Sequence, residues 1–313
     1  MTDGEANVLV VGSINMDLMV RVGRMPVPGE TIHGEDFRTN PGGKGANQAV
    51  AAARLGAKVR MIGSVGRDDF GRALKQSLAG EGVDVEYIRE SERSASGTAM
   101  ILVDQKGENS IVVAGGANFD VTPDDVFSRE DLFTECDVVL MQLELPLQTV
   151  RAAIEVGRRH HVRTILDPAP VPKQFSDGLC EVDILTPNVV EAERLTGHKA
   201  AEERVDKIVA SQLIARGAKN VVLKLGSRGS LVICADQHFY RIPPYKVLVR
   251  DTTAAGDAFT AALGVAVARG ASLHDAARFA NAAGALACTK FGAQAAMPAA
   301  YEVKMLMDDQ PTK

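Results

Sequence analysis

The stretch Asp251-Thr252-Thr253-Ala254-Ala255-Gly256-Asp257 leads straight into an apolar helical run, AFTAALGVAVA. Small residues at a helix N-terminus leave several backbone N–H groups exposed. The helix dipole adds positive potential there, so the place suits an anion. It can hold charge developing on a transferred phosphoryl group, with the amides of Ala254, Ala255, Gly256 and Asp257 as donors. An acid beside it can take a proton from an attacking hydroxyl. Phosphoryl transfer needs little beyond positioning, charge neutralisation and such a base. The local alternative is that Asp257 is only a first-turn acid favoured by the dipole.

Other polar residues stand where strands are expected to end. Asn15 and Asp17 follow the first apolar run at a spacing that puts both on one side of an extended chain. NPGGKGAN (40–47) carries Lys44 and Asn47 among glycines that include Gly43. It is not a Walker A loop, because Arg38 stands where the first Gly belongs and Gly45 follows the Lys. VVGSIN (10–15) likewise lacks GxGxxG. Asn, Asp, Lys and Asn at strand ends suit a polyhydroxylated ligand, or else are turn residues. Glu144 in QLELP lies between two leucines; it either caps the helix after Pro146 or faces the crevice of Asp17. DPAP (167–170) reads as a proline-fixed turn with Asp167 capping. Asn188 and Glu191, three apart, form a capping-box pattern or contact phosphate and metal-bound water. LGSRGS (225–230) is a turn between strands or a close backbone approach to a nucleotide. His160 and His161 end a basic helix, and no His/Cys spacing indicates zinc.

These residues need a frame. VLVVGSI (8–14), VRMIGSV (59–65), DVVLMQL (137–143), RTILD (163–167), DILT (183–186) and NVVLKLG (220–226) read as buried parallel strands. Helix-period segments alternate with them, several ending in glycine. The expected fold is α/β, a Rossmann-like, mostly parallel sheet with helices on both faces. Two half-polar stretches, about 16–40 and 97–118, break the rhythm. The second is a hairpin about DQKGEN. Together they predict a small antiparallel sheet inserted in one body spanning 1–313. Three helices are expected near the C-terminus, the second capped by Ser272.

Of the 313 residues, 46% are apolar, enough for a large core, and the net charge is −5. There is no basic stripe for nucleic acid. Cys136, Cys180, Cys234 and Cys288 form no CxxC pair and read as structural thiols in a reducing compartment. The acidic N-terminus has no signal-peptide pattern, and no apolar run is long enough to span a bilayer. The expectation is a soluble, cytoplasmic protein without membrane partners.

In order, GSINMD, PGGKGANQAVAAARLG, QLE, PNxxE, LGSRG and DTTAAGDAF resemble the ribokinase-type family of ATP-dependent sugar kinases, from about Val8 to Pro298. The resemblance implies a β-sheet lid over a sugar, a homodimer formed through that lid, and phosphorylation of D-ribose at O5 with ATP and Mg²⁺. It further implies that Asn15, Asp17, Gly43, Lys44, Asn47 and Glu144 bind the sugar, with Asp257 as base. Asn188 and Glu191 would serve the phosphate–Mg²⁺ end, and Gly226, Gly229 and Asn281 the ATP site. A K⁺ site would use the Asp251 side chain and backbone oxygens of Thr253, Ala287, Lys290 and Gly292. Two positions depart from the family. Ala296 stands where a serine often completes the cation site. Lys224 stands where a small hydroxyl residue is common, and is expected to meet nucleotide phosphates. Deoxyribose, fructose or a nucleoside as substrate, or a non-catalytic sugar-binding protein, are the competing readings.

Overall fold

The structure is a computed structural model and describes residues 4–198, 203–236 and 238–311. The chain begins with β1 (Asn7–Val11), β2 (Asn15–Val22), β3 (Gly34–Gly42) and α1 (Lys44–Arg54). β4 (Lys58–Gly66), α2 (Asp69–Gly80), β5 (Val83–Asp84), β6 (Ile88–Ser91), β7 (Gly97–Val103) and β8 (Asn109–Ala114) follow. Next come α3 (Pro123–Phe127), α4 (Glu130–Thr134), β9 (Val138–Met141), α5 (Leu147–Arg159), β10 (Arg163–Leu166) and β11 (Ile184–Leu185). The remainder is α6 (Val189–Thr196), α7 (Glu203–Ala215), β12 (Asn220–Lys224), β13 (Ser230–Cys234), β14 (Phe239–Ile242), α8 (Ala255–Ala268), α9 (Leu273–Ala287) and α10 (Ala300–Asp309).

The large sheet runs β14-β13-β12-β11-β10-β9-β1-β4-β5, with β6 also on β4. Its apolar strands are unbroken because both faces are covered. Along β1, Val8 and Val10 enter one core while Leu9 and Val11 enter the other. Helix α8 is buried from Asp257 to Val267, which its apolar residues on every side require. Close approach of α1 to the sheet depends on two glycines: a Cβ on Gly45 would stand 2.5 Å from the Gly12 backbone. Ser272 caps α9 by accepting from the Asp275 amide (3.1 Å), as the sequence predicts.

Two expectations need correction. NVVLKLG is parallel only toward β11, because the tight Gly226–Arg228 turn reverses the chain into antiparallel β13. The small sheet, β3-β2-β7-β8, is mixed rather than antiparallel. β2 and β7 both leave the body at the same end, with Asn15 opposite Gly97, so they run parallel. DQKGEN does turn the β7–β8 hairpin. Ala117 and Asn118 are buried, in a 3₁₀ turn beyond the β8 strand. Among the described residues, no helix is long and apolar enough to cross a membrane.

Candidate active site

Parallel strands β12, β11, β10, β9 and β1 lie side by side, and each delivers a polar residue at or just past its carboxyl end. In that spatial order they are Lys224, Asn188, Asp167, Glu144 and Asn15. This is where ligands bind in open α/β sheets. The N-termini of α1 and α8 close on the same edge, bringing Lys44, Asn47 and Asp257.

Asp257 is almost fully buried in the first turn of α8. Asn47 Nδ2 donates to its Oδ2 (2.9 Å) and Gln48 Nε2 to its Oδ1 (3.3 Å). Burial drives its pKa up to about 6; Lys44 opposes that rise and Asp167 adds to it. Lys44 is held protonated well above its ordinary range, chiefly by Asp257 against the cost of burial. The residue before α8, Ala254, adopts φ 57, a left-handed conformation uncommon outside glycine. The first helical bond there runs from Ala258 N to Ala254 O (2.9 Å). The amides of Gly256 and Asp257 therefore precede the helical ladder and stay available.

Asp17 and Glu144 face one another across the opening. Glu144 Oε2 accepts from Ser13 Oγ (2.6 Å) and the Lys44 amide (3.2 Å), so it faces the crevice and does not cap α5. The Asp17 pKa rises to about 7, first through burial, then through Glu144 and Asp257. Gly42 makes room for it: a Cβ there would lie 2.3 Å from the Asp17 carboxylate. Asn15 Oδ1 accepts from Asn118 Nδ2 (2.7 Å), and Asn118 also bonds the Ile14 amide (2.8 Å) and carbonyl (3.1 Å). Gly43, with φ 88, precedes α1.

Asp167 is not a turn cap. Its carboxylate is buried and accepts from Lys224 Nζ (2.8 Å), Gln48 Nε2 (3.2 Å) and Thr260 Oγ1 (3.4 Å). The segment after it makes a tight Ala169 N to Asp167 O bond (2.7 Å) and a bend at Pro170, and the acid points inward to a cation 57 residues on.

Asn188 and Glu191 complete the capping box: Glu191 Oε2 accepts from Asn188 N (2.7 Å) and Asn188 Oδ1 from Glu191 N (2.9 Å). Burial raises the Glu191 pKa, with Lys224 opposing. Gly226 and Gly229 lie in the β12–β13 turn, and Arg228 between them reaches the fully buried Asp206 (2.8 Å). Asn281 is buried and its Nδ2 donates to the carbonyls of Ile242 (3.3 Å) and Pro243 (3.1 Å). Asp251 accepts from Thr253 N (2.9 Å), Thr253 Oγ1 (2.7 Å) and Gly292 N (2.9 Å). Burial opposes these bonds, yet together they hold its carboxyl below the ordinary value. Ala287 ends α9 nearby, while the exposed Lys290 pairs its ammonium with Glu302 (2.9 Å).

Sequence reading missed Ser13, Gln48, Asn118, Gln142 and the inward role of Asp167. Gln48 had a usable signal, since it is a polar residue one position from Asn47 in an otherwise alanine-rich helix.

A family model described as pfkB family carbohydrate kinase matches residues 5–300. The chain belongs to that family. Phosphoryl transfer to a carbohydrate is therefore its chemistry. The chain is 40% identical to a ribokinase of Bacillus subtilis over 96% of its own length and 99% of that protein. It is 35% identical to a deoxyribokinase of Salmonella typhi over 81% of this chain and 83% of the relative. Its fold superposes with TM-score 0.90 on an Arabidopsis thaliana ribokinase complexed with ribose and ATP, at 33% identity, covering 97% and 99% of the two chains. The pfkB family thus accounts for both the large sheet and the small one beside it.

Proposed function

We propose that this pfkB kinase phosphorylates D-ribose at O5, converting ribose and ATP into ribose 5-phosphate and ADP. One observation carries the reading: a buried carboxylate, Asp257, sits at a helix N-terminus with unengaged amides and a protonated lysine beside it. Asn15, Asp17, Gly43, Lys44, Asn47 and Glu144 hold the sugar hydroxyls. Asp257 takes the O5 proton as that oxygen attacks the γ-phosphorus, and the bond to the ADP oxygen breaks. The amides of Ala254, Gly256 and Asp257 receive the charge on the transferred group, joined by that of Ala255 once it leaves the Thr252 carbonyl (3.3 Å). Asn188, Lys224, Gly226, Gly229 and Asn281 serve ATP.

The donors at the nucleotide end fit Mg²⁺, which is ordinarily held by one or two carboxylates together with substrate phosphates. Glu191 is the carboxylate positioned for it, through water. When bound, the ion neutralises charge on the phosphates. An all-oxygen set fits a monovalent cation such as K⁺: the anionic Asp251, already joined to Gly292, with backbone oxygens of Thr253, Ala287, Lys290 and Gly292. Ala296 supplies no hydroxyl to that set.

The small sheet acts as a lid that excludes water on closing. Its edge strand β8 exposes Ile111, Val112 and Val113, and Met100 is exposed on β7. An unpaired apolar edge of this kind suits a homodimer contact. We place the whole of 1–313 in one body carrying this inserted lid.

ADP formation that depends on added ribose, measured with and without K⁺, tests the function. The relative named deoxyribokinase supplies the second reading, 2-deoxyribose. A hydroxyl panel separates the two: faster turnover on 2-deoxyribose or fructose than on ribose overturns the ribose assignment.

A further inference from the structure

The pair Asp167 and Lys224 joins the two ends of the site. Lys224 Nζ lies 2.8 Å from Asp167 Oδ1, with side chains only 11% and 2% exposed. An ideal Cβ on Gly256 would stand 3.4 Å from the same ammonium, so Lys224 borders the N-terminus of α8. The second oxygen, Asp167 Oδ2, accepts from Gln48 Nε2 (3.2 Å), and that same nitrogen also donates to Asp257 Oδ1 (3.3 Å). One amide therefore bridges two buried carboxylates. Its orientation is fixed from behind, because Gln142 Nε2 donates to Gln48 Oε1 (2.6 Å).

Two buried negative charges bridged by one neutral amide repel each other unless a cation is near. Lys224 is the cation ion-paired to the Asp167 side. We infer that Asp167 and Lys224 work as a coupled pair. Asp167 is a positioning residue that holds the Lys224 ammonium at the mouth of the anion hole. Lys224 there stabilises the transferred phosphoryl group, and it also neutralises Asp167 so that a second carboxylate can stand beside it. The inference rests on the base and anion-hole reading given above. It explains why Asp167, which follows β10, is buried, and why the position expected to hold a small hydroxyl residue holds a lysine.

The pair makes each partner harmful alone. Without Lys224, Asp167 loses its ion-pair partner beside Asp257 and keeps only the Gln48 and Thr260 bonds and the field of Lys44. Without Asp167, the ammonium loses its anchor. Replacing both with neutral residues leaves neither fault. A double-mutant cycle with Lys224→Met, Asp167→Asn and the combined variant reads this coupling. Lys224→Met should lower kcat about 100-fold, the scale of one lost charge-stabilising donor. KM for ribose should stay within about threefold, because the ammonium meets the phosphoryl group and not the sugar. Asp167→Asn should lower kcat roughly 10-fold, and the combined variant should be no slower than Lys224→Met alone.

Losses that multiply in the combined variant, or a Lys224→Met kcat within about threefold of the parent, overturn the pair. Melting of each variant identifies one that fails to fold. Lys224→Arg covers that case: it keeps the charge and should retain at least about a tenth of kcat. A loss as deep as that of Lys224→Met, with unchanged melting, overturns the charge role. Parent ribose-dependent turnover and its loss in Asp257→Asn are the controls. If these controls fail, the base reading is wrong; if they hold and the losses multiply, only the pair is wrong.

Discussion

The two ends of the site use their acids in opposite ways. At the proposed sugar end, Glu144 and Asp257 act on Lys44, and Asp17 feels the charges of the same two acids. The pKa values of Asp17 and Asp257 are driven to about 7 and about 6, and Asn47 Oδ1 is buried without a partner. At the proposed nucleotide end, burial also raises Glu191, but the bonds to Asp251 outweigh its burial and hold it below its ordinary value. Both oxygens of Glu191 accept from Asn188, and both oxygens of Asp251 accept from Thr253 or Gly292. The difference teaches where a ligand is needed. The proposed sugar end has electrostatic demand that folding leaves unmet, and the donors of a polyhydroxylated substrate would meet it. At the proposed nucleotide end the lowered Asp251 asks less of a sugar ligand, and that end would draw on backbone amides, glycine turns, one lysine and the proposed cations.

The largest test of this contrast is Asp257→Asn. An amide cannot accept the proton, so kcat should fall by about 10²–10⁴-fold. Ribose affinity, measured by calorimetry, should change far less. In the parent enzyme kcat/KM should rise as pH passes about 6, because Asp257 in the proposed role of base must be ionised. Lys44, Asp167 and Glu144 face the same space as charged neighbours, and Asp257 (about 6) and Asp17 (about 7) together spread the limb over about pH 5 to 8. Near-normal turnover in Asp257→Asn, or a flat profile across that window, would remove the sugar end's special status.

Asp17→Asn is next, and it separates binding from stability. The folded-state pKa of Asp17 is raised above its unfolded value. Between the two values the folded state holds the extra proton, so the ionised form costs stability as pH climbs. That cost grows from about pH 4 and is complete above about pH 7. Removing the charge should therefore raise Tm at pH 8 by roughly 2–8 °C, taking ~1–2 kcal/mol recovered and about 2–4 °C per kcal/mol. The gain should shrink toward pH 4, while KM for ribose rises at least about tenfold, the scale of a lost charged hydrogen bond. A lower Tm at pH 8 would mean that Asp17 is satisfied in the free protein, and the contrast would fail.

Asn188→Ala probes the other end. It removes an N-cap and half of a capping box, so stability should drop by about 0.5–2 kcal/mol. Its effect on chemistry should be modest, under about tenfold in kcat, and should appear as a higher Mg²⁺ requirement. Denaturant melts and a Mg²⁺ titration check both parts. A loss of turnover as deep as that of Asp257→Asn would show the nucleotide end to be chemically demanding as well.

Much of this contrast was legible in the sequence, for one physical reason. Parallel strands buried on both faces read as unbroken apolar runs, so the polar residues that end them stand out. Asn15, Asp17, Glu144 and Asn188 were found in this way. Asp167 ends a strand by the same rule, but its prolines imitate a turn, and the cation that draws it inward is 57 residues away. Asn118 was hidden for the same reason, since it fixes Ile14 and Asn15 across more than 100 positions. The parallel β2–β7 pairing was equally invisible, because hairpin rules join only neighbouring strands. Local propensity marks ends and turns; it carries no record of which distant charge completes a buried acid.

The smallest expected effect on turnover lies at Ala296. This residue is buried in the Gln294–Ala296 turn, which Arg54 pins by donating to the carbonyls of Gln294 (2.8 Å) and Met297 (3.0 Å). Ala296→Ser places a hydroxyl in a fixed, buried position. Without a cation that hydroxyl lacks a partner, and a buried unsatisfied group costs about 1–3 kcal/mol. Tm in K⁺-free buffer should therefore fall, and added K⁺ should restore it. The K⁺ concentration for half-maximal rate should drop a few-fold, because one more oxygen joins the Asp251 set. A fall in Tm that K⁺ does not restore would place Ala296 outside the cation's reach.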